Sequence, residues 1–89
     1  MLAVSPNPVS GSAEISFAVS HAGPVTMTAF DVGGRRIVSS ALRSFTPGRH
    51  RVQWDPRDAS GLRIPSGMYF LQIGSAGGKP CSARILLLR

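Results

Sequence analysis

The spacing of glycine and proline limits this chain to short structural elements. Ten glycines and seven prolines interrupt its 89 residues, and the longest stretch free of both covers only residues 35–46. Because each of these residues tends to end a helix or a central strand, long helices are excluded. The apolar content of 43% still places the sequence among globular domains. A chain of this length buries one thin core, so we expect a single domain over residues 1–89.

Between these interruptions, apolar and polar residues alternate with the period of two that a half-buried strand requires. Seven strands are predicted on this basis, at residues 2–4, 12–20, 25–31, 36–42, 49–54, 68–73 and 81–88. The stretch 55–67 is rich in turn residues but has no hydrophobic period, which predicts an ordered loop. Short strands separated by frequent turns are typical of an all-β, seven-stranded antiparallel immunoglobulin-like β-sandwich.

The alternation also predicts which side chains face inward. The strand positions of Ile15, Phe17, Trp54 and Tyr69 share the parity expected for a core between two sheets. Met27, Leu71, Ile85 and Leu87 are expected to face the same core from the third, sixth and seventh strands, which commonly share one sheet in such sandwiches.

Opposite parity in those three strands predicts an outer face with five large apolar residues: Phe30, Met68, Phe70, Leu86 and Leu88. Scattered surface residues do not explain such a concentration, so we interpret this face as a recognition patch. The alternative is a register shift or a bulge that returns these residues to the core. In that case, the exposed edge of the final strand would be the candidate partner surface.

The sequence predicts no catalytic, cofactor-binding or metal-ligating residues, and hence a domain that is not an enzyme. His21 and His50 lack acidic neighbours in a metal-binding spacing, and no nucleophile motif is present. Asp55 and Asp58 could offer oxygens to calcium, but Arg57 lies between them and no third carboxylate is near. Carboxylates that cap consecutive turns are therefore the favoured interpretation. The single cysteine, Cys81, is expected to be a small buried hydrophobe.

The charge and hydropathy of the chain limit which classes of partner are expected. The formal net charge is +6, and all of the basic residues except Lys79 are arginines. They are dispersed and form no basic helix, so nucleic acid is not expected as a partner, although an anionic surface would be attracted. No apolar run is long enough to cross a bilayer, and the last one, residues 85–88, is far too short, so no membrane insertion is expected. The start of this chain carries no signal-peptide pattern.

A series of motifs in one order carries a family resemblance. The motifs are Asn7-Pro8, residues 30–38 with Gly33-Gly34, Pro47-Gly48, residues 50–55, Asp58 with Gly61, residues 65–70, and Arg84 to Arg89. In this order they resemble the C-terminal sorting domain of type IX secretion substrates. They are also similar to the immunoglobulin-like domain of the flagellar hook-capping protein.

The resemblance implies a non-catalytic domain at the C-terminus of a larger exported bacterial protein. Such a domain directs its N-terminal cargo through the outer-membrane translocon to the cell surface, by way of the periplasm. The terminal motif of the family corresponds here to Arg84, Ile85, Leu86, Leu87, Leu88 and Arg89, which are candidates for partner binding together with the outer face predicted from parity. The expected partners are translocon components, the linked cargo domain or a second copy. The alternative function is a structural assembly or adhesion module of the hook-cap type.

Overall fold

A computed structural model describes residues 2–75 and 78–88 of the chain. Its strands are β1 (Leu2–Ser5), β2 (Ala13–Val19), β3 (Gly23–Asp31), β4 (Arg36–Phe45), β5 (Gly48–Trp54), β6 (Gly67–Ser75) and β7 (Cys81–Leu87). The prediction of an all-β, seven-stranded sandwich is confirmed. Several strands extend beyond their predicted ends, because residues such as Gly23 and Phe45 pair with each other instead of forming turns.

The strands form two antiparallel sheets. One sheet has three strands in the order β1-β2-β5, and the other has four in the order β4-β3-β6-β7. Strands β3, β6 and β7 therefore lie side by side, as predicted. The hairpin between β3 and β4 depends on Asp31, whose carboxylate accepts hydrogen bonds from the backbone N–H groups of Gly33 and Arg35 at 3.0 and 2.9 Å. Gly34 has a φ of 84°, which a residue without a Cβ adopts readily.

The core lies between the two sheets and consists mainly of the alternate side chains of each strand that face inward. Ile15, Phe17, Trp54 and Tyr69 are all buried, which confirms their predicted placement. Phe17 packs edge to face against Phe45, with ring centroids 5.1 Å apart. The Tyr69 hydroxyl donates a hydrogen bond of 2.7 Å to the carbonyl of Pro65, so this ring is buried without stranding its polar atom.

A bulge in β4 sets which of its residues face outward. The register between β3 and β4 shifts so that Ala29 lies opposite Val38 while Phe30 lies opposite Arg36. Ile37 and Val38 therefore both pack against the core. As a result, Arg36 lies beside Phe30 on the outer side of the four-stranded sheet and is exposed to solvent.

Some buried residues lie in segments that the alternation did not assign to strands. Val9, in the segment that links β1 to β2, is fully buried, and Ile64 is 2% exposed within the long loop 55–66. Each closes part of the core with a single side chain and therefore leaves no periodic signal in the sequence. The described part of the chain includes no helix of the length and apolarity needed to cross a bilayer.

Candidate functional site

The outer side of the four-stranded sheet carries the predicted apolar patch. We call it the apolar face and define it by Phe30, Met68, Phe70, Leu86 and Leu88. Met68, Phe70 and Leu88 are 38, 40 and 49% exposed, and Phe30 and Leu86 are half-buried. Their inward neighbours Ala29, Tyr69, Leu71, Ile85 and Leu87 are all buried. The facing predicted from parity is therefore confirmed, and the bulge leaves Phe30 on the outside.

Strand register arranges the apolar face in rows. Phe30 lies opposite Phe70 across β3 and β6, and Met68 lies opposite Leu86 across β6 and β7. The aromatic row continues at both ends, because Phe30 is paired with Arg36 on β4 and Phe70 with Arg84 on β7. One line across all four strands thus reads Arg, Phe, Phe, Arg.

The row on the other side of the aromatic pair is polar. Thr28 lies opposite Ser39 and Gln72, and Gln72 lies opposite Ser82. The hydroxyls of Thr28 and Ser39 are 3.1 Å apart, which places both on the outer side. The apolar face therefore ends at the aromatic row in one direction and continues through Met68 and Leu86 in the other.

The described residues of the terminal motif, 84–88, differ in exposure. Arg84 and Leu88 are exposed and Leu86 is half-buried, so their side chains are accessible on the outer side. Ile85 and Leu87 are 0% exposed because they face the core, so the folded domain does not present these two side chains to a partner. Arg89 lies outside the described residues. The partner-binding role of the accessible residues stays a prediction.

The edge of β7 is covered by the segment before β2. Asn7 donates from Nδ2 to the carbonyl of Arg84 at 3.2 Å, and its Oδ1 accepts from the N–H of Leu86 at 3.0 Å. Val9 donates to the carbonyl of Leu86 and accepts from the N–H of Leu88, both at 2.8 Å. We call this segment, Asn7 to Val9, the clasp.

The clasp uses one side chain and one backbone unit to do what a further parallel strand would do. It forms hydrogen bonds with the N–H and C=O groups that face the free edge of the sheet from Arg84 to Leu88. These groups are therefore not open to another strand. The expectation that this strand offers an exposed edge is therefore wrong over that stretch. The same contacts give Asn7-Pro8, a weak motif by itself, a structural role.

The long loop is organised around Asp58. Its Oδ1 accepts hydrogen bonds from the Ser60 hydroxyl at 2.7 Å and from the N–H groups of Ser60 and Leu62 at 3.0 Å. These bonds, led by the one from the hydroxyl, hold the pKa of Asp58 below its ordinary value. Asp55 forms an ion pair with Arg57, in which its Oδ2 lies 2.7 Å from the arginine Nε. The prediction that Asp58 fixes a turn is confirmed. Arg57 also donates a hydrogen bond to the carbonyl of Gly61.

The outer side of the three-stranded sheet differs in composition. Its central residues are small, with Ala3 on β1 opposite Ser16 on β2. On β5, Arg51 lies opposite Ser16 and Arg49 lies opposite Ala18. These residues, with Phe17 and His50, line an open groove of about 750 Å³. Arg51 is 3.9 Å from Glu14. Small side chains beside two arginines suit an anionic group, but no second feature of this groove indicates a ligand.

Groups that are typical of reactive or metal-binding sites are separated in the fold. Within residues 2–75 and 78–88, no three His, Cys, Asp or Glu residues lie close enough to share an ion. His50 contacts the carbonyl of Thr46 at 2.6 Å and packs against the Phe45 ring at 4.7 Å. His21 contacts Ser20 at 3.2 Å in the β2–β3 turn. Cys81 begins β7 and is half-buried, which is less burial than expected.

Comparison with known protein families finds a match. The FlgD Ig-like domain matches residues 5–79, which is most of the chain but stops short of β7. No curated protein matches the sequence.

Solved structures share the fold at low sequence identity. Latent PorU from Porphyromonas gingivalis is similar with a TM-score of 0.75 at 20% identity, over 98% of this chain and 9% of PorU. PorZ from the same organism, a surface component of the type IX secretion system, gives 0.67 at 23%, over 99% of this chain and 11% of PorZ. FlgD from Xanthomonas campestris, which caps the flagellar hook, gives 0.68 at 21%, over 96% of this chain and 60% of FlgD. This chain therefore spans only part of each of these proteins.

Proposed function

The chain belongs to the FlgD Ig-like domain family, and from that premise we propose that it is a non-catalytic sorting domain of an exported bacterial protein. It directs that protein through the type IX outer-membrane translocon to the cell surface. The partners are translocon components and the cargo domain that precedes it in the full protein. The domain acts by being bound, so its function depends on an exposed surface rather than on a reactive group.

The apolar face is the observation that carries this proposal. In a sandwich of this kind, the strand residues that face inward have to be apolar, whereas those that face outward are free to be polar. Here Met68, Phe70 and Leu88 are large, apolar and 38–49% exposed, with Phe30 and Leu86 beside them. A contiguous surface of this kind marks an interaction site. The fold that this chain shares with parts of PorU and PorZ, two proteins far longer than itself, supports a role as a module attached to a larger protein.

The alternative is a structural assembly module of the hook-cap type. The extent of the family match favours it, because residues 5–79 match the FlgD domain while β7, which carries the terminal motif, lies outside the match. An assembly module would use the same apolar face to hold a neighbouring subunit. The two functions therefore share a surface and differ in the partner.

Export of a reporter tests the proposal. The 89-residue chain is fused behind a signal peptide and a fluorescent protein, and surface fluorescence is measured in a bacterium with a working type IX system and in a translocon-deficient strain. We expect surface display that requires the translocon. The double variant Phe30→Thr with Phe70→Thr should retain the reporter in the periplasm.

The matched control changes exposed apolar residues elsewhere. Val32 and Leu62 are 70 and 67% exposed in a hairpin and in the long loop. Val32→Thr with Leu62→Thr should leave export unchanged. Periplasmic retention of the unmodified fusion would overturn the sorting function, and restored hook assembly after exchange into a FlgD-deficient strain would then establish the alternative.

A further inference from the structure

The ends of the aromatic row identify the chemistry of the partner. The row across the four-stranded sheet runs Arg36, Phe30, Phe70, Arg84, with one residue from each strand. Neighbouring strands are about 4.8 Å apart, so the α-carbons of the two arginines are separated by roughly 14 Å. Both arginines are exposed, and neither has an ion-pair partner among the described residues.

The acidic residues of the chain are all engaged with groups other than Arg36 and Arg84. Glu14 lies on the other sheet near Arg51, and Asp31 binds the turn at Gly33 and Arg35. Asp55 and Asp58 organise the long loop. The aromatic row of the apolar face thus has a positive charge at each end, and no described carboxylate lies on the face.

From this arrangement we infer that the apolar face binds an amphipathic helix of a partner protein whose apolar stripe is bordered on both sides by Asp or Glu. A helix with its side chains is about 10–12 Å wide, so carboxylates on its two flanks come within reach of guanidinium groups about 14 Å apart. Packing a helix on the open face of a sheet is a common way to cover it. The inference rests on the proposed function, in that it names the chemistry of the partner at the same surface.

A second copy of the chain is a poor occupant of the same face. Two copies stacked through Phe30 and Phe70 would bring four guanidinium groups around one apolar contact without a compensating carboxylate. Like charges brought together at an interface weaken it, whereas opposite charges fix its register and speed association. The clasp adds a further constraint, because it covers the β7 edge from Arg84 to Leu88 and leaves the face itself for docking.

Two designed peptides provide the probe. One is an amphipathic helix of about 18 residues, with a leucine stripe bordered by glutamates, and the other has lysines in place of the glutamates. Each is titrated into the isotope-labelled domain, and backbone amide shifts are followed by NMR. The glutamate peptide should shift amides of β3, β6 and β7, and its affinity should fall as salt rises from about 0.01 to 0.15 M, where the Debye length shortens from about 30 to 8 Å.

Charge-reversal variants test whether Arg36 and Arg84 are responsible for binding the glutamate peptide. Arg36→Glu with Arg84→Glu should weaken binding of the glutamate peptide by about tenfold or more and strengthen binding of the lysine peptide. The matched control, Arg49→Glu with Arg51→Glu, makes the same change of net charge on the outer side of the other sheet. It should leave the affinity within about twofold.

Several results would overturn the inference. They are equal binding of the two peptides, an equal loss in both charge-reversed variants, shifts confined to β2 and β5, no binding of the glutamate peptide, or dimerisation through the apolar face in sedimentation. The reporter assay separates this inference from the proposed function. Translocon-dependent export that survives Arg36→Glu with Arg84→Glu would overturn only the partner chemistry, whereas failure of export with intact peptide binding would overturn only the sorting function.

Discussion

The two outer faces of the sandwich are built by the same strand geometry but carry different residues. On the three-stranded sheet, the outer rows pair Ala3 with Ser16 and Ser16 with Arg51. On the four-stranded sheet, the corresponding rows contain Phe30 with Phe70 and Met68 with Leu86. The fold requires large apolar residues on the inner parity of both sheets and on the outer parity of neither.

The difference separates what the fold requires from what a partner requires. Small and charged outer residues, as at Ala18 and Arg49, are sufficient for a stable solvent-facing sheet. Large apolar residues in the same kind of position expose surface that water disfavours. Their presence on one outer face and not on the other is what the proposed partner binding would account for. The predictions below test whether inner and outer residues, and then the two sheets, differ as described.

The largest effect is expected from Trp54, on the inner side of the three-stranded sheet and only 5% exposed. Trp54→Ala leaves a cavity between the sheets and should lower the free energy of unfolding by about 3–5 kcal/mol, measured by denaturant titration. Its neighbour Gln53 faces outward on the same strand, so Gln53→Ala should cost no more than about 0.5 kcal/mol. Similar losses in the two variants would show that the inner and outer sides are wrongly assigned.

A smaller effect is expected on the apolar face. Phe30→Thr with Phe70→Thr removes a cross-strand aromatic pair that is already partly in water, so the free energy of unfolding should fall by about 1–2 kcal/mol. Thermal unfolding should remain cooperative. A loss as large as that of Trp54→Ala would mean that the pair contributes to the core. The apolar face would then no longer contrast with the other sheet.

Loss of the clasp side chain should cost about 1 kcal/mol. Asn7→Ala removes two hydrogen bonds to β7 at a partly solvated edge. The most specific measurement is amide hydrogen exchange, which should accelerate at Leu86 more than at Leu88, because the acceptor for Leu88 is the backbone of Val9. The control Asn7→Asp keeps the acceptor for Leu86 and should preserve its protection. Unchanged exchange at Leu86 in the alanine variant would contradict the clasp.

The smallest effect is expected in the pH dependence of stability at acidic pH, to which Asp58 in the long loop contributes. Its pKa is lowered in the folded state by the Ser60 hydroxyl and the loop N–H groups. The stabilisation is therefore present above the unfolded-state pKa and is lost as pH falls below about 4 through the lower folded-state value. Asp58→Asn should reduce the dependence of stability on pH in that range, measured by thermal melts. If stability fell with decreasing pH as steeply in Asp58→Asn as in the unmodified domain, the role assigned to this carboxylate would be contradicted.

The same loop gives a calcium test. The Oδ1 atom of Asp58 is used by three donors of the loop itself, and Asp55 is paired with Arg57. We therefore expect calorimetric titration with calcium to give no saturable heat. A melting temperature that rises by several degrees in about millimolar calcium would show instead that these carboxylates hold an ion.

Strand parity predicted the apolar face because it depends only on neighbours in sequence. Once Val25, Met27 and Ala29 are assigned to the core, Phe30 falls outside by the period of two, and the same reasoning places Phe70. The bulge at Ile37 and Val38 has no such signal, since both residues are apolar and either register buries one of them. The arginine that the bulge brings beside Phe30 was therefore not predictable from alternation.

The clasp was beyond sequence reasoning for a different reason. Asn7 bonds to residues 77 and 79 positions away, and a polar residue between two prolines carries no periodic signal of such a partner. Val9 and Ile64 are isolated apolar residues in irregular segments, and only the closed sandwich shows that each is buried. Contacts of this kind depend on topology and not on local pattern.

The clasp also determines how the domain bears tension. Val9 pairs with β7 in parallel, so the upstream chain leaves this pair at one end and the downstream end of β7 leaves it at the other. A pull between residue 7 and residue 88 therefore acts along the paired segments and loads the four hydrogen bonds of the clasp in shear, all at once. An antiparallel edge pulled from one end would instead open one bond at a time. Tension applied between these two points is thus resisted by four bonds together and not by one bond after another.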